Sequence, residues 1–124
     1  MEFKIDTKDA FTIIMPVNES ISAKMTGALR EKCMEMRQSG SRNFIIDLQH
    51  ANEIDKEAIS ELVTLHEESY SLDQSLVFTG ISKAVMPVLK EEEQDLLINI
   101  APSMAEAVDI ISMEILERDL FGEE

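Results

Sequence analysis

The sequence predicts an α/β domain with a mixed sheet of about five strands, an N-terminal hairpin and about four helices, in the order ββαβαβαβα. Three observations carry this. Short apolar segments at 44–48, 76–79 and 96–98 alternate with longer stretches whose apolar residues recur every three or four positions. Residues 3–15 instead alternate apolar and polar side chains about a polar turn. Strand–helix alternation then implies right-handed crossovers and mostly parallel pairing, to which the hairpin adds an antiparallel pair.

The elements follow in order. Phe3 and Ile5, a polar Asp6–Asp9 turn, then Phe11, Ile13 and Met15 read as the hairpin. After a break at Pro16–Ser22, the stripe Met25, Leu29, Cys33 and Met36 marks one helix over about Ala23–Gln38, closed by Gly40. Phe44-Ile45-Ile46-Asp47-Leu48 suits a central strand buried on both faces. A second helix begins near Asp55, with Ile59, Leu62, Val63 and His66 on one face, and Leu76–Thr79 forms the next strand. A third helix carries Ala84, Val85, Val88 and Leu89 on one face. Pro87 removes a donor within it and predicts a kink or a later start. Leu96-Leu97-Ile98 reads as a final edge-like strand. The last helix is capped at Ser103 and carries the stripe Met104, Val108, Ile111 and Ile115. Met113, Leu116 and Leu120, with Phe121 adjacent, lie on a different stripe. Residues 113–124 therefore read as a helical extension whose apolar face fits either a homodimer contact or a tail docked on its own core.

Composition bounds the function. The chain has 124 residues and a mass of 14.0 kDa, the size of one domain, taken as residues 1–124. Its net charge of −14 disfavours nucleic acid or an anionic membrane surface as partner, because phosphate binding rests on clustered cations. Residues 63–124 hold 3 basic against 14 acidic side chains, so the C-terminal half presents the negative field. No apolar run approaches a membrane span, and Met1-Glu2-Phe3-Lys4-Ile5-Asp6 lacks a signal-peptide core, so the expected compartment is the cytoplasm.

One cysteine, Cys33, excludes a disulfide framework and multi-Cys zinc sites. Its place in a helical stripe marks a small buried hydrophobe rather than a nucleophile. Neither a Gly-rich phosphate loop nor a nucleophile elbow occurs. His50, Glu53 and Asp55 form a candidate metal set, but two carboxylates and one histidine on a loop are common by chance. His66 continues an apolar stripe and reads as a hydrogen-bonded core residue. A receiver domain is rejected, since Asp47 lies within its strand and no acidic pair follows the first strand. No enzyme activity and no cofactor are expected.

The informative stretch is Phe44–Tyr70, FIIDLQHANEIDKEAISELVTLHEESY. Asp55 is suited to cap the helix that follows, Ile54 and Ile59 are placed as a hydrophobic staple, and Glu57 is favoured by the helix dipole. An apolar strand carrying an Asp, a short loop, an apolar residue and an Asp that opens a helix together resemble the sulfate transporter and anti-sigma factor antagonist (STAS) domain family. The resemblance extends over the whole chain. Phe3–Val17 looks like the family's first hairpin, Val77-Phe78-Thr79-Gly80-Ile81-Ser82 like its strand before helix three, and Ala105-Glu106-Ala107 like its closing helix. Pro16-Val17-Asn18 lacks the Gly often found after the family's second strand.

The resemblance implies a protein-interaction module. In anti-sigma factor antagonists the second serine of Asp-Ser-Ser-Gly is phosphorylated by a partner kinase that is also the anti-sigma factor, and the phosphate repels that partner. Here the motif reads Asp55-Lys56-Glu57-Ala58-Ile59: both serines are gone and Glu57 stands at the phosphoacceptor position. A carboxylate carries one charge against roughly 1.5 to 2 for phosphoserine. Three states stay open: a permanently phosphorylated-like one, a partner that takes the acid through Lys or Arg, or regulation moved to Ser60. The implied binding surface is the loop after Leu48 and the first turns of helix two: Asp55, Lys56, Glu57 and Ala58, with Ser60 and Glu61 at the rim. The implied partner is an anti-sigma factor/serine kinase or, for an accessory subunit of the same fold, a transporter ATPase.

Overall fold

A computed structural model describes residues 2–121. The chain runs β1 (Phe3–Thr7), β2 (Thr12–Pro16), β3 (Ser20–Ile21), α1 (Ala23–Gln38), β4 (Phe44–Asp47), β5 (Glu53–Ile54), α2 (Lys56–Ser71), β6 (Leu76–Thr79), α3 (Met86–Glu91), a 3-10 turn (Gln94–Leu96), β7 (Ile100–Ala101) and α4 (Met104–Phe121). Five strands form one sheet in the order β1-β2-β4-β6-β7, with β1 and β2 antiparallel and the rest parallel. The expected mixed sheet, hairpin and four helices are all present.

Alternation along the strands sorts the side chains into two cores. Ile14, Phe44, Ile46, Leu76 and Phe78 face one side, where they pack with Met25, Leu29 and Cys33 of α1, Ile59, Leu62 and Leu65 of α2 and Leu89 of α3. Ile45, Val77 and Ala101 face the other, where they meet Ala107 and Ile111 of α4, with Phe11 and Ile13 alongside. All four residues of β4 are buried, as a strand covered on both faces requires. Burial pushes the Cys33 thiol up to about 12, so it is packing material and not a thiolate.

Helix boundaries follow local chemistry. Ser22 caps α1, its Oγ accepting from Met25 N at 3.2 Å, and Gly40 just past the end takes φ +104°. α3 takes the later start: Pro87 sits in its first turn, where a missing donor costs nothing. Ala84 consequently lies outside the helix and is exposed, while Val85 and Leu89 are buried. Ser103 Oγ accepts from Glu106 N at 3.2 Å and starts α4.

Two expectations change. The last strand is Ile100–Ala101, not 96–98. Glu93 takes a left-handed φ of 58° and turns the chain into the 3-10 segment. Ile98 is then buried in the core beneath α1 and α2, and the first carbonyl to meet β6 is Asn99 O, accepting from Phe78 N at 2.9 Å. Two short strands also form, β3 within the break at Pro16–Ser22 and β5 in the loop that leads into α2. They pair in parallel as a separate two-stranded ladder.

Gly80, directly after β6, has φ +71°. A Cβ there would collide with the Asp47 carboxylate and lie 3.0 Å from Gln49 N. That carboxylate is buried at the end of β4, where Oδ1 accepts from Gln49 N (3.1 Å) and Oδ2 from Gln49 Nε2 (2.8 Å). The pair closes the exit of β4 and turns the chain toward the loop that follows.

His66 is half-buried, with Nε2 accepting from Asn99 N at 3.1 Å and its ring 4.6 Å from that of Tyr70. Tyr70 donates to Glu114 Oε1 at 2.7 Å and accepts from Asn99 Nδ2 at 2.5 Å. Burial and the Glu114 bond push its phenol up to about 12. Burial also lowers the His66 pKa, against opposing pulls from Glu114 and Glu67. His66 therefore binds fewer protons folded than unfolded between its folded pKa and its ordinary value, and its stabilisation is lost as pH falls through that window.

Two predictions arise. Gly80→Ala lowers stability by about 2 kcal/mol, read as a lower urea midpoint at unchanged slope. His66→Gln, which keeps an acceptor for Asn99 N, loses less stability than wild type between pH 7.5 and pH 5. Parallel urea titrations at the two pH values check this.

Candidate functional site

The parallel strands β2, β4 and β6 deliver three loops to one end of the sheet, and backbone bonds fix two of them to each other. Asn52 N and Glu53 N both donate to Glu19 O, at 2.7 and 3.2 Å, and Asp55 N donates to Ile21 O at 2.9 Å. Ser20 pairs with Glu53 and Ile21 with Ile54. Ile21 and Ala51 are buried and anchor this ladder in the core. Below it, Leu48 N donates to Thr79 O of β6 at 2.9 Å. Ser22 and Asp55, the residues before α1 and α2, therefore leave adjacent strands of one ladder, and the two helices begin side by side. The Thr26 hydroxyl in α1 donates to the Glu61 carboxylate in α2 and ties the first turn of α1 to the second turn of α2.

The six expected residues separate within this frame. Asp55 holds the N-cap position with extended backbone (φ −82°, ψ 140°), but its carboxylate makes no cap bond. Only its backbone caps, Ala58 N donating to Asp55 O at 3.0 Å. This departs from the expected side-chain cap: the ladder sets the conformation of Asp55 through its N–H and leaves the carboxylate in solvent. Lys56 is exposed, with Nζ 3.3 Å from Glu92 Oε1 just past α3. Such an exposed pair contributes roughly 0–1 kcal/mol. Glu57 is exposed in the first turn and, among the described residues, forms no salt bridge. Its charge faces the positive end of the helix dipole.

Ala58 is fully buried against the core and offers a partner no surface; its place in the site is to seat the helix. Ser60 is exposed, its Oγ donating to Glu57 O at 3.1 Å. Glu61 is exposed with its carboxylate held by Thr26. The structure thus groups Asp55, Lys56, Glu57, Ser60 and Glu61 on one accessible surface. Ile54, just before the N-cap position, packs against the core cluster to which Ile59 belongs.

Sequence reasoning missed four contributors. Glu19 and Ile21 supply the acceptors that hold the loop, yet they lie in a short polar break with no alternation to mark a strand. Thr26 sits in the apolar stripe of α1 and carries no signal of its own. Glu92 reaches Lys56 only through the fold. Among the described residues, no group of three or more His, Cys, Asp or Glu could hold a metal ion, so His50, Glu53 and Asp55 are not assembled as a ligand set. A cleft of about 320 Å³ between residues 7–12 and 39–43 lies at the amino end of the parallel strands, away from this surface. The arrangement suits a protein surface presenting mostly carboxylates.

Among the described residues, no helix is long and apolar enough to cross a membrane. No curated protein sequence matches the chain significantly. Solved structures do. A candidate anti-sigma factor antagonist from Thermotoga maritima superposes with a TM-score of 0.76 at 16% identity, over 89% of this chain and 94% of that one. A serine-to-glutamate variant of RsbS from Moorella thermoacetica gives 0.72 at 18%, over 90% and 96%. The murine anion transporter Slc26a9 gives 0.68 at 15%, over 84% of this chain and 18% of that one. At these identities the likeness establishes the shared fold. The sequence profile of the STAS domain matches residues 2–107. With strand order, helix placement and profile in agreement, the chain belongs to the STAS domain family.

Proposed function

We propose that this protein is a non-enzymatic interaction module of bacterial partner-switching signalling. In this reading the first turns of α2 bind an anti-sigma factor that is also a serine kinase, and Glu57 holds the phosphoacceptor position as a fixed acid. The observation that carries the reading is Glu57 itself: an exposed carboxylate in the first turn of α2, on a helix start held by the β3–β5 ladder. A position whose backbone is anchored while its charge is unpaired can offer that charge to a partner's Lys or Arg without reorganising.

The physical consequence is a switch set in one state. A serine here would alternate between a neutral hydroxyl and a phosphate of roughly −1.5 to −2. Glutamate stays at one negative charge and has no hydroxyl to phosphorylate. The partner must therefore accept an acid at this place, and control comes from the partner's state or abundance. The RsbS variant among the structural neighbours supports the reading, since a serine-to-glutamate change is compatible with this fold. Presence of the fold within an anion transporter chain supports a second reading, an accessory subunit docked through the same helix on a transporter ATPase.

The immobilised full chain tests this by capture from native extract with identification by mass spectrometry, beside Glu57→Ser and Glu57→Lys. The expected result is a serine-kinase-type anti-sigma factor whose retention falls at least about tenfold with Glu57→Lys. Glu57→Ser becomes a phosphate acceptor for that kinase when ATP is added. A partner retained equally by all three proteins overturns the role of Glu57. Recovery of an ATPase with membrane subunits selects the second reading.

A further inference from the structure

We propose that the outer face of α4 is a second docking surface, built for a basic amphipathic helix of a partner protein. The helix has two apolar faces. The inner one, centred on Ala107 and Ile111, packs on Ile45, Val77 and Ala101 of the sheet. The outer one carries Met113, Leu116 and Leu120, which are 62, 58 and 65% exposed, while Phe121 lies past Glu117 on the side that faces Tyr70. Met113, Leu116 and Leu120 follow at spacings of three and four, so they form one stripe along the helix. This stripe lies beyond the STAS match, which ends at residue 107.

Charge selects the occupant. At 100° per residue, Glu106 and Glu117 flank the stripe on one side, Asp119 on the other, and Asp109 continues it toward the N-terminus. All four are exposed. The one basic residue of α4, Arg118, points inward, with Nη2 2.5 Å from Ser75 Oγ and Nη1 3.4 Å from Asn43 Oδ1. The outer face is therefore apolar with carboxylates on both sides and no cation of its own.

A second copy of the chain would set these carboxylates against their equals, and like charges at a contact oppose association. Nucleic acid and anionic lipid are disfavoured on the same ground. A partner helix with apolar residues at the same spacing and Lys or Arg beside them satisfies both features, because the apolar groups bury the stripe while the cations reach its margins. α4 covers the sheet face opposite α1 and α2, so this surface is separate from the one that starts α2.

The test uses the full chain and labelled helical peptides of roughly 20 residues, read by fluorescence anisotropy. One carries leucines at spacings of three and four flanked by lysine and arginine. A second has the same composition scrambled, and a third replaces the cations with glutamate. The first peptide is expected to bind at least about tenfold more tightly than the other two. Leu116→Gln with Leu120→Gln, and separately Glu117→Lys with Asp119→Lys, each weaken it by at least about tenfold and leave capture through Glu57 unchanged. Absence of binding, or binding that survives the leucine substitutions, overturns the proposal. So does concentration-dependent self-association in sedimentation that the leucine substitutions abolish, since that assigns the face to a second copy.

Discussion

Parallel pairing of Glu19–Ile21 with Asn52–Asp55 is the constraint on which the candidate site rests. Alone, a two-residue ladder is far too short to persist. It persists here because Ile21 and Ala51 are buried beneath it and because Leu48, upstream in the same loop, is bonded to β6. Its effect is geometric. Two helices that differ in capping chemistry, one by the Ser22 hydroxyl and one by backbone alone, are brought to start side by side. A side chain in the first turn of α2 then inherits the rigidity of the core without being buried by it.

The exit of β4 shows a related economy of space. Asp47 is buried because Gln49 satisfies both of its oxygens from two residues away, and Gly80 makes room for it. A polar side chain at the end of an otherwise apolar strand would be costly without those partners. With them it becomes the corner that sends the chain from the sheet into the loop. The glycine matters here for close approach as well as for its positive φ.

At the far end of α2 the chemistry differs. His66, Tyr70, Asn99, Ser75, Glu114 and Arg118 join α2, β6, the lead-in to β7 and α4 by side-chain hydrogen bonds. This cluster ties α2, on one side of the sheet, to α4 on the other, where the two apolar cores do not meet. It also turns the only cation of α4 inward and leaves an acidic outer face.

Periodicity made most of the fold legible: the hairpin, the doubly buried β4, the stripe of α1 and the inner stripe of α4 follow from spacing alone, because amphipathic patterns are local. The motif around Asp55 likewise marks where α2 begins, at Lys56 with Asp55 in the N-cap position. The last strand was misplaced because Leu96-Leu97-Ile98 has strand-like composition, while the left-handed Glu93 and the demand of Phe78 N for an acceptor lie elsewhere in the chain. Residues 122–124 of the expected extension lie outside the described residues. What the sequence by itself determined is which residues are apolar, at what period, and that the residue after Lys56 is an acid. Only the tertiary structure decided that Ala58 is core, that the Asp55 carboxylate makes no cap bond, and that Glu61 belongs to Thr26. The physical reason is that periodicity is read within one element, whereas burial and hydrogen-bond partners are settled between elements.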